Sequence, residues 1–237
     1  MRQLYLTTMQ APQVTHHIQL DILRKMLQAP ESRYSDLKPK EIESNLFLYH
    51  LGQLKKIGLI EKQDKSYVLT RAGKHFADTT TLKTMKVRVQ PKIITILCVK
   101  RSDGAWLTLR RTHQPFTGHV GFPSGKIHYG ERLDEAAVRE LREKTGLEHV
   151  SLRLRGNVSM RFLDGQETVT HIIGYVFYGE VPVGTETTHA AEYFETLFGN
   201  EADLFIEPYI KGNREILEYL KRDEALFFEE CEFTSDF

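Results

Sequence analysis

The sequence predicts an α+β protein in two parts: residues 1–81 as a helical unit closed by a small hairpin, and residues 82–237 as a mixed sheet flanked by helices. Three observations carry this prediction. Apolar residues recur at helical spacing in the first third, then fall into short continuous or alternating runs from Lys86 onward, which is a change of period from near 3.6 to near 2. The run Thr79-Thr80-Thr81 separates the two textures. A single strong helical segment, Asp134–Lys144, stands among the strands, and strands mixed with few helices imply one sheet with helices packed on it.

In the first part, Val14, Ile18, Leu23, Met26 and Leu27 predict a helix over Val14–Gln28, stopped by Ala29-Pro30. Ser32–Leu37 is long enough for one or two turns before Pro39. Ser44-Asn45 offers N-cap chemistry for a third helix carrying Leu46, Phe47, Leu51, Leu54 and Ile57. Gly58, after Lys55-Lys56, suits the left-handed position that closes it. Two short strands, Leu59–Glu61 and Ser66–Leu69, follow around a turn at Asp64-Lys65, and Thr70 opens a last short helix to about Ala77.

In the second part the expected strands are Val87–Val89, Ile93–Val99 and Trp106–Arg110, with a turn at Ser102-Asp103-Gly104. After the Asp134–Lys144 helix come strands at Ser151–Leu154, Val158–Phe162 and His171–Tyr178, with a turn at Asp164-Gly165. Beyond Glu186 helix formers predict helices at Glu192–Leu197 and Glu215–Lys221, and the terminal FFEECEFTSDF alternates like a last strand or an extended tail.

Composition bounds the function. A length of 237 residues, 41% hydrophobic and 27% charged, with 16 Gly and 8 Pro, excludes collagen, coiled coil and disorder. The 32 basic and 32 acidic residues cancel, but unevenly. Residues 1–85 carry 13 Lys/Arg against 8 Asp/Glu, residues 86–185 carry 15 against 10, and residues 186–237 carry 4 against 14. Two basic parts therefore precede an acidic C-terminal segment, a layout that bears on nucleic-acid contact. Cys98 and Cys231 lack metal or disulfide spacing, and Cys98 reads as a small buried hydrophobe. No signal peptide or membrane-length apolar run is present in the sequence, so no membrane partner and a cytoplasmic setting are expected.

The stretch SNLFLYHLGQLKKIGLIEKQDKSYVLTRAGK, with the helices before it, resembles a winged helix-turn-helix over roughly residues 12–80. That resemblance implies a third helix that enters the DNA major groove and a hairpin that forms the wing. The exposed candidates are Ser44, Asn45, Tyr49, His50 and Gln53 for the groove, with Lys55, Lys56 and Lys65 facing phosphates of double-stranded DNA. The same architecture also serves protein docking or dimerisation, and that alternative stays open.

Gly125–Leu147 reads GKIHYGERLDEAAVRELREKTGL, with Gly125, Glu131, Arg139-Glu140-Leu141, Glu143 and Gly146-Leu147 as fixed points. Glu140 and Glu143 lie three apart, so a helix projects both from one face, and Asp134 and Glu135 fall in the first turn, where the helix dipole favours negative charge. Paired carboxylates supply oxygen ligands to Mg²⁺, which keeps waters and bridges phosphates, and such a metal can activate water against a pyrophosphate. Glu131 lies eight residues before Arg139 and can fold back to pair with it. The segment resembles the Nudix box, and the lead-in GFPSGK resembles that family's, with Ser124 where a second glycine is usual. The resemblance implies an α/β/α sandwich and Mg²⁺ (or Mn²⁺) shared by Glu140, Glu143 and the Gly125 carbonyl region. It also implies structural roles for Glu131, Arg139 and Gly146, and a further acidic ligand from a later loop, with Glu192 first and Glu186 second.

Lys144 departs from the pattern, because the family places another glutamate there. It is four residues after Glu140, so its ammonium stands on the face of the expected ligands. At ~4–6 Å and an effective dielectric near 20, each such charge pair is worth roughly 3–4 kcal/mol before screening. Lys144 therefore weakens any metal and can itself hold phosphates, with Arg110, Arg111 and Lys126 flanking the box as further phosphate candidates. His113, His119, His128 and His171 show no ligand spacing, and Tyr193 and Phe194 suit a base stack or the core equally. Two readings follow. One is a Mg²⁺-dependent Nudix phosphohydrolase acting on a nucleoside diphosphate linked to another group. The other is a transcription regulator that senses such a nucleotide through a catalytically weak Nudix domain. Both resembled families commonly form homodimers.

Overall fold

The computed structural model describes residues 14–81, 88–113, 116–187, 194–206 and 208–235, and the chain divides into two compact units, Met1–Val89 and Gln90–Phe237.

The first unit opens with α1 (His17–Met26), capped by His16, whose Nδ1 accepts from the Ile18 N–H at 3.3 Å. A two-residue strand, β1 (Ser32–Arg33), leads into the single turn α2 (Tyr34–Leu37). Helix α3 (Ser44–Lys56) takes Glu43 as its N-cap residue without a side-chain cap bond, so Ser44 is the first helical residue and not the cap. Its end follows from Gly58 at φ +74°, which lets the Gly58 N–H reach Lys55 O at 3.0 Å and the Leu59 N–H reach Leu54 O at 3.1 Å. Strands β2 (Ile60–Gln63) and β3 (Ser66–Leu69) join β1 in the order β1-β3-β2, and α4 (Arg71–Thr79) is capped by the Thr70 hydroxyl, which accepts from the Gly73 N–H at 3.0 Å. Gly73 has to be glycine, since a Cβ there would lie 1.9 Å from Leu59 O.

The core of this unit gathers Ile18, Ile22, Leu23 and Met26 of α1 with Phe47, Leu51 and Leu54 of α3. That register corrects one groove candidate. His50 falls on the stripe of Phe47, Leu51 and Leu54 and is buried, its ring stacked on His16 with centroids 3.8 Å apart. Ser44, Asn45, Tyr49, Lys55, Lys56 and Lys65 are exposed and Gln53 is half-buried.

The second unit is an eight-stranded mixed sheet between helices. The strands β4 (Lys92–Arg101), β5 (Trp106–Arg111), β6 (Val120–Gly121), β7 (Ser124–Lys126), β8 (Arg153–Asp164), β9 (Glu167–Val181), β10 (Phe194–Gly199) and β11 (Phe227–Thr234) give the order β10-β5-β4-β9-β8-β11. Strand β6 pairs with β5 and β7 with β4. The β4/β9 and β8/β11 pairs are parallel, the rest antiparallel. Helix α5 (Leu133–Thr145) covers Leu97, Val99, Leu107, Phe177 and Val181 on one face, while α6 (Asn213–Leu220) packs with Ile96, Cys98, Val158, Met160, Val176 and Phe227 on the other. With both faces covered, Ile96-Leu97-Cys98-Val99 is buried as a continuous run, and burial pushes the Cys98 thiol well up, so it behaves as a hydrophobe.

Four expectations change. Val87 lies outside the described residues, and Val89 is fully exposed and in no strand. The two strands expected at Ser151–Leu154 and Val158–Phe162 are one, β8, because a bulge between Leu154 and Gly156 keeps the chain paired, and at Gly156 a Cβ would lie 2.1 Å from Phe227 O. The helix expected over Glu192–Leu197 is strand β10 from Phe194 onward (Glu192 and Tyr193 lie outside the described residues). Half-buried Phe194, Thr196 and Phe198 alternate there with exposed Glu195 and Leu197, a period of two, and pairing with β5 overrides the helix propensity of Glu and Leu. The acidic C-terminal segment is not a helical extension: β10 and β11 are sheet strands, and Ile216, Leu217 and Leu220 of α6 lie in the core.

Candidate ligand site on helix α5

Helix α5 is positioned by its own ends. Asp134 and Glu135 occupy its first turn, and Glu135 Oε2 accepts from the Arg132 N–H at 3.3 Å. Gly146, at φ +71°, closes it. Between them Arg139 uses all five of its N–H donors. Nε and Nη2 bind Glu131 Oε1 and Oε2 at 2.7 and 2.8 Å, Nη2 also binds Lys126 O at 3.1 Å, and Nη1 binds Glu140 Oε1 at 2.8 Å and Glu143 Oε2 at 3.2 Å. Glu131 also accepts from the His128 N–H at 2.9 Å, which fixes the loop between β7 and α5. The Arg139 guanidinium, aided by that N–H, holds the Glu131 carboxyl down at about 2, and the same carboxylates hold the Arg139 pKa above its ordinary value.

Glu140 is buried at 7% exposure. Strand β7 brings Gly125 against it so closely that a Cβ at Gly125 would lie 1.8 Å from Glu140 Cδ, so any larger residue there would have to push the carboxyl aside. Lys144 lies on the other side. Its Nζ is 3.0 Å from Glu140 Oε2, donates to Ser124 O, and stands 5.2 Å from the centre of the Phe194 ring. Each oxygen of the buried Glu140 carboxylate therefore faces a cation. Glu131, Glu140 and Glu143 set three negative charges against the two positive charges of Arg139 and Lys144, leaving the cluster at −1.

The remaining candidates separate. Arg110 is exposed, donates to Gly118 O at 3.2 Å and lies 3.9 Å from Glu195. Arg111 is half-buried beside Phe194, with its Nη2 3.1 Å from His113 Nε2. The Lys126 side chain is exposed, and only its carbonyl joins the Arg139 network. Glu186 is exposed, and Glu192 lies outside the described residues. His128 is exposed, while His119 faces Thr117 O and His171 faces Ser159 Oγ at 3.4 and 3.1 Å. The roles of Phe194 and Ser124 were not read from the sequence, because both depend on strands β10 and β7 reaching α5.

The fold and the box together define a class. Residues 90–220 match the NUDIX domain profile, and the chain belongs to the Nudix family. It is 24% identical over 140 residues to the uncharacterized Nudix hydrolase YvcI of Bacillus subtilis, covering 59% of this chain and 86% of that protein. It is 29% identical over 140 residues to the ADP-ribose pyrophosphatase of Methanocaldococcus jannaschii, covering 55% and 80%. Among solved structures, the MutT protein from Bacillus halodurans superposes with a TM-score of 0.52 at 22% identity, over 62% of this chain and 92% of that one. The NUDIX domain of Shewanella oneidensis NrtR, complexed with ADP ribose, gives 0.50 at 16%, over 64% and 97%. At such identities these two likenesses concern the fold.

Nudix hydrolases generally use a divalent metal such as Mg²⁺. The described residues do not fit one. Mg²⁺ needs charged oxygens free to coordinate, whereas both Glu140 oxygens are held by Arg139 and Lys144. Among the described residues no group of three or more His, Cys, Asp or Glu could hold a metal ion.

Proposed function

We propose that this protein is a nucleotide-sensing regulator, in which the Nudix unit binds a nucleoside diphosphate derivative without hydrolysing it and the N-terminal unit binds double-stranded DNA. One observation carries the reading: the Lys144 ammonium, 3.0 Å from Glu140 Oε2, stands where the family's box has another carboxylate. With that carboxylate replaced and both Glu140 oxygens paired to cations, the described residues of the box are poorly suited to hold a metal that activates a water. Binding without turnover suits a sensor. ADP-ribose is the first ligand to try, since the Methanocaldococcus jannaschii relative is named for it and the Shewanella oneidensis NUDIX domain was crystallised with it.

The N-terminal unit supports the DNA part. Its order of helix, short strand, two helices and hairpin supports the winged-helix reading, with Ser44, Asn45, Tyr49, Lys55 and Lys56 exposed on α3 and Lys65 at the hairpin turn. A sensor of this kind needs its ligand to favour one DNA-binding state over the other, since equal affinity shifts nothing. The reading also takes the chain as a cytoplasmic homodimer, which sedimentation of the purified protein checks; no helix among the described residues is long and apolar enough to cross a membrane.

The phosphohydrolase reading keeps one specific support: Gly125, Glu131, Arg139, Glu140, Glu143 and Gly146 all stand at box spacing, and the Methanocaldococcus jannaschii relative is a pyrophosphatase. One experiment separates the two. Purified protein is incubated with ADP-ribose and Mg²⁺ or Mn²⁺, and release of AMP is followed beside calorimetric binding and gel retention of selected DNA. Binding without AMP release, with DNA affinity that changes with ADP-ribose and falls with salt, supports the sensor. Steady AMP release overturns it in favour of the hydrolase. Unchanged DNA retention in Lys55→Ala/Lys56→Ala at low salt removes α3 as the DNA contact.

A further inference from the structure

Among the described residues, three cations around the box are engaged, while Lys126 and Arg142 are exposed to water. Arg139 has no free donor, Lys144 is held between Glu140, Ser124 and Phe194, and Arg110 has Gly118 O and Glu195. Arg111 is different. Its Nε is inaccessible to solvent and has no hydrogen-bond partner, its Nη2 lies 3.1 Å from His113 Nε2, and no ion pair to it is formed among the described residues. Burial depresses its pKa, with no carboxylate of the described residues acting in the opposite direction. A half-buried guanidinium whose Nε is shut off from water, with no carboxylate beside it among the described residues, is unfavourable in a folded chain.

Its position makes that cost intelligible. Arg111 follows Leu107 and Leu109 on the face of β5 that α5 covers, and Phe194 is its register partner on β10. The Phe194 ring lies 5.7 Å from the Arg111 guanidinium and 5.2 Å from Lys144 Nζ, so Arg111 and the box residues share one aromatic neighbour. The box cluster, at −1, repels an anion, and the described residues do not fit a metal that would reverse its sign. A planar guanidinium fork matches two phosphate oxygens, and the Arg111 guanidinium lies over the Phe194 ring, 5.7 Å from its centre.

We propose that Arg111, oriented by His113 and Phe194, is the anion anchor of the Nudix unit and receives a phosphate group of the ligand without a metal ion. The proposal rests on the reading of the ligand as a nucleoside diphosphate derivative, and the test separates the two. Full-length wild type, Arg111→Met, Arg111→Lys and Arg110→Met are titrated calorimetrically in EDTA with inorganic pyrophosphate and, separately, with ADP-ribose, and the Tm of each ligand-free protein is recorded. The wild type and Arg110→Met bind both probes, Arg111→Met weakens both at least tenfold, and Arg111→Lys falls between. Ligand-free Arg111→Met has a Tm equal to or above wild type, because a half-buried charge with no carboxylate beside it among the described residues has been removed, whereas a structural role would lower it.

No pyrophosphate binding by wild type, or equal binding by wild type and Arg111→Met, overturns the proposal. Loss of binding accompanied by a lowered Tm also overturns it, by assigning Arg111 to the structure. Arg111-dependent pyrophosphate binding with no affinity for ADP-ribose supports the anchor and counts against ADP-ribose as the ligand.

Discussion

Replacing Lys144 by glutamate tests the charge arrangement most directly. The ammonium lies 3.0 Å from Glu140 Oε2, with both side chains largely buried. At an effective dielectric of about 20 that separation corresponds to about 5 kcal/mol of attraction, and disrupting a buried pair of this kind costs about 3–5 kcal/mol. Lys144→Glu also adds repulsion, so the upper part of that range applies in EDTA. For a unit of this size each kcal/mol lowers Tm by about 2–4 °C, so a loss near 10 °C is expected. The variant also places three carboxylates, at positions 140, 143 and 144, on one helix face. Mn²⁺ should then bind and return about 2.7 kcal/mol at a hundredfold excess over its dissociation constant. Thermal unfolding with EDTA and with Mn²⁺, beside electron paramagnetic resonance of free Mn²⁺, reads both effects, with Lys144→Met as the control for lost charge alone. Wild type should ignore the metal. A wild-type Tm that rises with Mn²⁺ as much as the variant's, or a Lys144→Glu protein as stable as wild type in EDTA, would refute the reasoning.

Three further outcomes are expected. Gly125→Ala drives a Cβ into the Glu140 carboxyl, 1.8 Å from Cδ, and should cost about 3 kcal/mol in urea unfolding by breaking its pairing with Arg139 and Lys144. Glu131, held at about 2 against an ordinary 4.5, stabilises the fold fully above pH 4.5 and loses that contribution as pH falls toward 2. About 2 kcal/mol of it is gone by pH 3, so the difference in unfolding free energy between pH 7 and pH 3 should shrink by that amount in Glu131→Gln. His50, whose pKa is lowered first by burial and then by His16 and His17, takes up a proton less readily in the fold than in the unfolded chain, where it is protonated below 6.5. The N-terminal unit therefore loses stability as pH falls through 6.5, and His50→Leu should flatten that dependence in far-ultraviolet circular dichroism melts.

The α5 segment was legible because its determinants are local. Helical spacing alone put Glu140, Glu143 and Lys144 on one face, the first-turn acids and Gly146 set its ends, and the eight-residue step from Glu131 to Arg139 foretold a pair that forms at 2.7 Å. The inward turn of His50 was equally local, since it follows Phe47 by three residues and precedes Leu54 by four, but its polarity argued for the surface. Strand β10 was not legible. Its helix formers are outweighed by the hydrogen-bonding edge that β5 presents, a partner more than eighty residues away in the chain.

Sequence by itself therefore determined the two-part layout, the box, and the positive charge at residue 144. Tertiary structure decided what that charge meets. Strand β7 brings the Ser124 carbonyl to it, β10 brings Phe194, and the Arg111 guanidinium is left on β5 without a counter-ion among the described residues. The physical reason is range: helix faces and caps are set by residues within a turn or two, whereas desolvation and ion pairing depend on every segment the sheet collects around the group.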